Sequence, residues 1–162
     1  MISLVDTNVL VYCHDPRSPA KRAIARELLR QGAADERLVL AHQTLVEFVS
    51  AVIRPRADLG GASLVNPETA HLQAEDLMRT FPILYPDESV LTTAIGGYRA
   101  YGLSWFDAHL WAYAEAFGIP EILSEDFEHG RYYGSVRACD PFLAASDEVH
   151  QLPPMYEEAA RP

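Results

Sequence analysis

The chain alternates short apolar runs with amphipathic helical stretches, and this pattern constrains its fold more than any other feature. Ile2 to Val5 and Arg37 to Ala41 are too short for helices and predict buried strands. Pro82 to Tyr85, Glu121 to Ser124 and Val136 to Cys139 are weaker runs of the same kind. Between them the apolar spacing changes to three and four residues. Ala20, Ile24, Ala25, Leu28 and Leu29 form one stripe, entered through Ser18-Pro19, and Leu45, Val46, Phe48, Val49, Val52 and Ile53 form a second. Ala70, Ala74, Leu77, Met78 and Phe81 form a third, with Asn66 as N-cap and Pro67 at the first helical position. Leu91, Ala94, Ile95, Tyr98 and Tyr101 form a fourth that runs through Gly96-Gly97. Parallel strands need long crossovers, which helices supply, so the predicted fold is α/β with a central, mostly parallel sheet flanked by helices.

The pattern fills residues 1–143, one predicted domain, and the polar, proline-marked stretch 144–162 reads as a C-terminal surface tail. No apolar run approaches the roughly 18 residues of a membrane span, and no basic segment precedes the first strand. Cys13 and Cys139 form neither a CxxC pair nor a disulfide framework, so the expected location is cytoplasmic, with no membrane partner. Asp and Glu number 23 against 13 Lys and Arg, a formal charge of −10, and Lys21 is the single lysine. That balance excludes a broad basic face for nucleic acid. Lysine-dependent phosphate chemistry is disfavoured as well, because Lys21 lies in no glycine-rich loop. Arg54, Arg56, Arg99, Arg131 and Arg137 are the phosphate contacts on offer.

The carboxylates are informative through their positions. Asp6 ends the first strand and opens a helix-like stretch, Thr7 to Cys13, and Asp126 follows the Glu121 to Ser124 strand in the same way. In a parallel sheet both stand at the carboxyl edge, where ligands bind. Ser104 to Asp107 resembles a capping box, yet Asp107 shares the i, i+3, i+4, i+7 stripe of Leu110, Trp111 and Ala114. A carboxylate on an apolar face needs a donor, a cation or a metal. Glu47 sits about 8 Å into the helix after the second strand, within reach of the same edge. It points away from its own apolar stripe, however, and periodicity alone makes it a solvated residue. Carboxylates gathered at one edge repel unless a divalent cation joins them, and an all-oxygen set suits Mg²⁺ or Mn²⁺.

Rival chemistries have less support. An aspartate-dependent phosphatase or receiver-like domain wants an adjacent acid pair and a nearby lysine, but Asp6 is followed by Thr7-Asn8. Cys13 beside His14 makes a poor thiol nucleophile, since adjacent helical residues do not face each other. The six histidines show no metal-ligand spacing. A non-catalytic module that uses the acids as a docking surface is the third reading.

Val5-Asp6-Thr7-Asn8-Val9-Leu10, mid-helix Glu47, Ser104-Trp105-Phe106-Asp107-Ala108 and Leu123-Ser124-Glu125-Asp126-Phe127 together resemble the acidic motifs of PIN-domain nucleases. The VapC-type toxins of bacterial toxin–antitoxin pairs show the greatest likeness, over roughly residues 2–143. The resemblance implies a PIN-like α/β fold and a Mg²⁺- or Mn²⁺-dependent endoribonuclease that hydrolyses RNA phosphodiesters by metal-activated water. It implies a homodimer and inhibition by a cognate antitoxin protein. It assigns Asp6, Glu47, Asp107 and Asp126 as the metal-site and catalytic acids, with Asn8 and Ser104 in support, and so overrides the solvated reading of Glu47. Glu125 precedes Asp126, so either can be the fourth acid; the Asp-Phe pairing favours Asp126.

Overall fold

A computed structural model describes residues 1–143; the predicted tail lies outside the described residues. The chain runs β1 (Ser3–Val5), α1 (Thr7–Tyr12), α2 (Pro19–Ala34), β2 (Leu38–Ala41), α3 (His42–Ile53), α4 (Pro67–Thr80), β3 (Ile83–Leu84), α5 (Glu88–Tyr101), α6 (Trp105–Ala116), β4 (Glu121–Leu123), β5 (Tyr132–Tyr133) and β6 (Val136–Cys139). The six-stranded sheet has the order β3-β2-β1-β4-β6-β5 and is parallel except for the β5–β6 pair. This is the predicted α/β fold, with helices on both faces of a mostly parallel sheet.

Alternate strand residues feed opposite cores. Leu4, Val39, Ala41, Ile122 and Ala138 pack on the side of α5 and α6. Val5, Leu38, Leu40 and Leu123 pack on the side of α1 to α4 with Phe48, Val52 and Phe142. Strands buried on both faces have no polar face to alternate, which is why β1 and β2 read as unbroken apolar runs.

The predicted strands and helices form, with local differences; Met78, counted in the third stripe, is exposed. Tyr132–Tyr133 makes a two-residue strand that the sequence reading missed; it returns antiparallel to β6 through Gly134, whose φ of 62° suits glycine. A 3-10 turn, Ala57–Leu59, sits within the Arg54 to Asn66 loop. On α5 the buried row is Val90, Ala94 and Gly97, while Leu91, Ile95 and Tyr98 of the expected stripe are exposed. Gly97 explains that rotation, because a Cβ there would lie 2.2 Å from the Trp111 ring of α6. The two helices approach through that gap, and Trp111 Nε1 donates to the Tyr133 carbonyl at 2.8 Å. Among the described residues no helix is long and apolar enough to cross a membrane.

Candidate acidic active site

The sheet order places β1 at a switch point: the chain builds toward β2 and β3 on one side and toward β4 and β6 on the other. Crevices outside the carboxyl ends of strands at such a point are where open α/β sheets bind ligands. Val5 pairs with Leu123, so the next residues, Asp6 and Ser124, emerge side by side, and the Asp6 amide donates to the Leu123 carbonyl at 3.1 Å. A cleft of about 350 Å³ opens there, lined by Asp6, Glu47, Asp107 and Asp126. The structure therefore brings the four predicted acids to one cleft. Glu125 also lines it but is engaged elsewhere: Tyr12 Oη donates to it at 2.5 Å, and Lys21 forms an ion pair with it.

Asp6 is held most firmly. One carboxylate oxygen accepts the Thr7 amide at 2.6 Å, and the other accepts Ser124 Oγ at 2.6 Å and Asn8 Nδ2 at 2.9 Å. Asn8 Nδ2 also reaches Asp126 Oδ2 at 3.1 Å, tying the two acids together. Burial lifts the Asp6 carboxyl from its ordinary 3.8 to about 7; the Ser124 and Thr7 hydrogen bonds oppose that rise, and the charges of Asp126 and Asp107 add to it.

Glu47 arrives from α3. Thr44 Oγ1 donates to the Val5 carbonyl at 3.2 Å and fixes the first turn of α3 against β1. Glu47 then accepts Thr7 Oγ1 at 3.0 Å and Gln43 Nε2 at 2.8 Å, and is half-buried. Gln43 in turn spans to α6, donating to the Phe106 carbonyl at 3.0 Å and accepting from His109 Nδ1. The side of α3 opposite its core stripe thus faces α1 and α6. Val46, counted in that stripe, is exposed instead.

Asp107 stands in the first turn of α6. Ser104 caps that helix by accepting the Asp107 amide at 3.2 Å, so it places the Asp107 backbone and does not line the cleft. Sequence reasoning missed Ser124, Thr7 and Gln43. The first was findable as the residue that follows β4 just as Asp6 follows β1, and the last as the i−4 neighbour of Glu47.

None of the ion pairs among the described residues involves Asp6, Glu47, Asp107 or Asp126. Asn8 Oδ1 is buried and accepts no hydrogen bond from the protein. An oxygen-rich cleft short of positive charge, with an orphaned amide oxygen beside a buried carboxylate, fits a hard divalent cation. Among the described residues, however, no three His, Cys, Asp or Glu side chains stand close enough to grip one ion in their present rotamers. The thiol alternative fails on its own terms. Cys13 is buried, which pushes its thiol up to about 11, and its Sγ contacts the Val9 carbonyl at 3.5 Å.

Several solved structures share the fold. FitAcB from Neisseria gonorrhoeae is 20% identical, covering 88% of this chain and 99% of that one with a TM-score of 0.57. VapC20 of Mycobacterium tuberculosis, described as a sarcin-ricin loop cleaving toxin, is 14% identical, covering 83% and 98% with a TM-score of 0.57. VapBC-1 from nontypeable Haemophilus influenzae is 18% identical, covering 87% and 98% with a TM-score of 0.57. At these identities the likeness establishes the fold alone. No curated protein sequence matches the chain. The PIN domain family does match, over residues 3–135, a span that begins with β1 and takes in all four acids of the cleft. By fold and by family match, the chain belongs to the PIN domain family.

Proposed function

We propose that this protein is a metal-dependent endoribonuclease and the toxin of a toxin–antitoxin pair. The observation that carries the reading is the buried Asp6 carboxylate at the sheet's switch point, in a cleft with Glu47, Asp107 and Asp126 that no ion pair neutralises. Those four residues would hold Mg²⁺ or Mn²⁺. Such an ion, when bound, acidifies water and offsets the charge of a phosphodiester. The chain's own contribution is orientation. Ser124 and Asn8 fix the Asp6 rotamer, Asn8 steadies Asp126, and Thr7 and Gln43 keep Glu47 turned toward the cleft. Asp126, with Glu125 held by Lys21, is the fourth acid. The same ion pair removes the only lysine from phospho-aspartate chemistry at Asp6.

The toxin reading draws on relatives of this fold solved as toxin–antitoxin complexes. An antitoxin segment carrying Arg or Lys can enter the acidic cleft by charge-assisted pairing. The exposed Leu91, Ile95, Tyr98 and Trp105 on α5 and α6 suit a homodimer contact, since the first three share one helical face and the Tyr98 ring meets the Trp105 ring edge-on, which makes the apolar row continuous.

The test is cleavage of total RNA by wild-type and Asp6→Asn protein with added Mg²⁺ or Mn²⁺, with the cut ends mapped. Wild type is expected to give discrete ends and the variant none, with both proteins melting cooperatively. Expression should arrest growth unless the neighbouring gene product is co-expressed. Equal cleavage by both proteins refutes the assignment, and no cleavage by either returns the acids to a docking role.

A further inference from the structure

The acidic cleft is also lined by two arginines, Arg17 and Arg56. Arg17 is committed to ion pairs with Asp15 and Asp58, and nearby Lys21 to Glu125. Arg56 differs. Its guanidinium makes one long hydrogen bond, Nη2 to the Ala51 carbonyl at 3.5 Å, and its Nε is buried with no acceptor. No ion pair among the described residues includes it. Of the five arginines singled out in the sequence, Arg56 is the one on this cleft. Arg131 pairs with Glu128, and Arg54 lines the adjoining depression with Val46 and Phe106.

The loop after α3 is built around the Arg56 backbone. Its amide donates to the Ala62 carbonyl at 3.0 Å, and its carbonyl accepts the Leu59 and Gly61 amides at 3.1 and 2.9 Å. Gly60 and Gly61 close that turn at φ of 64° and 87°, a region glycine enters without penalty. That turn fixes the Arg56 Cα at the rim of the cleft, so the side chain starts from a set position. A guanidinium with unfilled donors, held beside carboxylates that await a cation, is matched to an anion with paired oxygens. The cleft's carboxylates repel any anion until a divalent cation neutralises them, and on the ribonuclease reading the anion that then enters is a phosphodiester.

We propose that Arg56 is a substrate-binding residue that grips a backbone phosphate of the RNA next to the scissile one. The proposal rests on the ribonuclease reading and assigns its substrate contact. Backbone phosphates carry no base information, so Arg56 sets affinity and register and leaves sequence choice to other groups.

The test uses the non-cleaving Asp6→Asn protein with Mg²⁺ and a fluorescein-labelled, mixed-sequence single-stranded RNA of about twelve nucleotides, a length within ordinary single-strand site sizes. Affinity is measured by anisotropy against KCl. Adding Arg56→Met should weaken binding about tenfold and make the slope of log K on log salt shallower by about 0.7, the value of one phosphate contact on a single strand. Arg56→Lys should keep the slope and lose two- to threefold in affinity, roughly the cost of a fork replaced by a point charge. Arg79→Met removes the same charge from a site off the cleft and should change neither. The proposal is overturned if Arg56→Met behaves as Arg79→Met does, or if the Asp6→Asn protein shows no salt-sensitive RNA binding. If Arg56→Met fails to melt cooperatively, Arg56→Lys decides, and unchanged affinity there is equally fatal. Cleavage by otherwise wild-type protein separates the two ideas. An Arg56→Met enzyme that cuts with unchanged KM removes only the phosphate contact; a wild-type protein that does not cut removes the ribonuclease reading.

Discussion

Ser124 Oγ donates a 2.6 Å hydrogen bond to the Asp6 carboxylate across 118 positions of sequence. The same hydroxyl accepts the Asp126 amide at 3.0 Å and Asn8 Nδ2 at 3.1 Å, and Ser124 is fully buried. Ser124→Ala therefore strands several polar groups at once. It is expected to cost about 1–3 kcal/mol of stability in urea unfolding. Cleavage should fall roughly 10–100-fold, as for residues that orient metal ligands. Wild-type stability and rate in this variant would remove Ser124 from the site.

Metal binding should depend on pH through Asp6. Its folded value, about 7, lies above the ordinary 3.8, so the folded state holds this proton more tightly than the unfolded chain does. The resulting stability is fully present below about 4 and is lost as pH rises through about 7. A divalent cation competes with that proton and repays the loss. The rise in melting temperature on adding Mg²⁺ or Mn²⁺ is thus expected to be small at pH 5.5 and large at pH 8. Asp6→Asn should flatten the metal-free pH slope and remove the difference between the two pH values in the metal response, which then rests on Glu47, Asp107 and Asp126. A shift independent of pH contradicts this account.

Gln43 should matter through Glu47. It donates to Glu47 at 2.8 Å and anchors to the Phe106 carbonyl, so Gln43→Ala frees the carboxylate while leaving α3 intact. Titration calorimetry is expected to show metal affinity reduced roughly tenfold or more with an unchanged melting curve. Retained affinity would mean that Thr7 suffices to hold Glu47.

Neighbouring acids should part company. Asp126→Asn is expected to abolish cleavage, whereas Glu125→Gln should leave it near wild type and cost about 1 kcal/mol of stability from the partly exposed Lys21 pair. Cleavage assays alongside thermal melts separate the outcomes. The reverse pattern would transfer the fourth-acid role to Glu125.

Adjacent glycines in α5 should respond with opposite signs. A Cβ on Gly97 meets the Trp111 ring, so Gly97→Ala is expected to cost about 1–3 kcal/mol by overpacking. A Cβ on Gly96 meets nothing within 4 Å, so Gly96→Ala should gain up to about 1 kcal/mol from helix propensity. Urea denaturation of both variants checks the contrast.

Most of the fold was legible because apolar period and burial coincide. The strands at Ser3–Val5 and Leu38–Ala41 and the cap at Asn66 follow directly from local residues. The α5 face did not, because that helix is apolar on two sides, and only the partner helix, through the Gly97 gap, selects which side is covered. In the site, Asp6, Asp107 and Asp126 were readable from their places at strand ends and helix starts. Glu47 was not, because periodicity equates the side opposite the core with water. Here that side forms one wall of a cleft between α1 and α6. Ser124 escaped notice because its role exists only in the pairing of β1 with β4.

That pairing has a consequence for the timing of biosynthesis. Translation makes β1 well before β4, its hydrogen-bonded neighbour on one side. Until β4 emerges, Asp6 has neither Ser124 beside it nor Asp126 across from it. A nascent or truncated chain lacking β4 therefore cannot assemble the cleft, and any chemistry housed there waits until β4 has been made and has paired with β1.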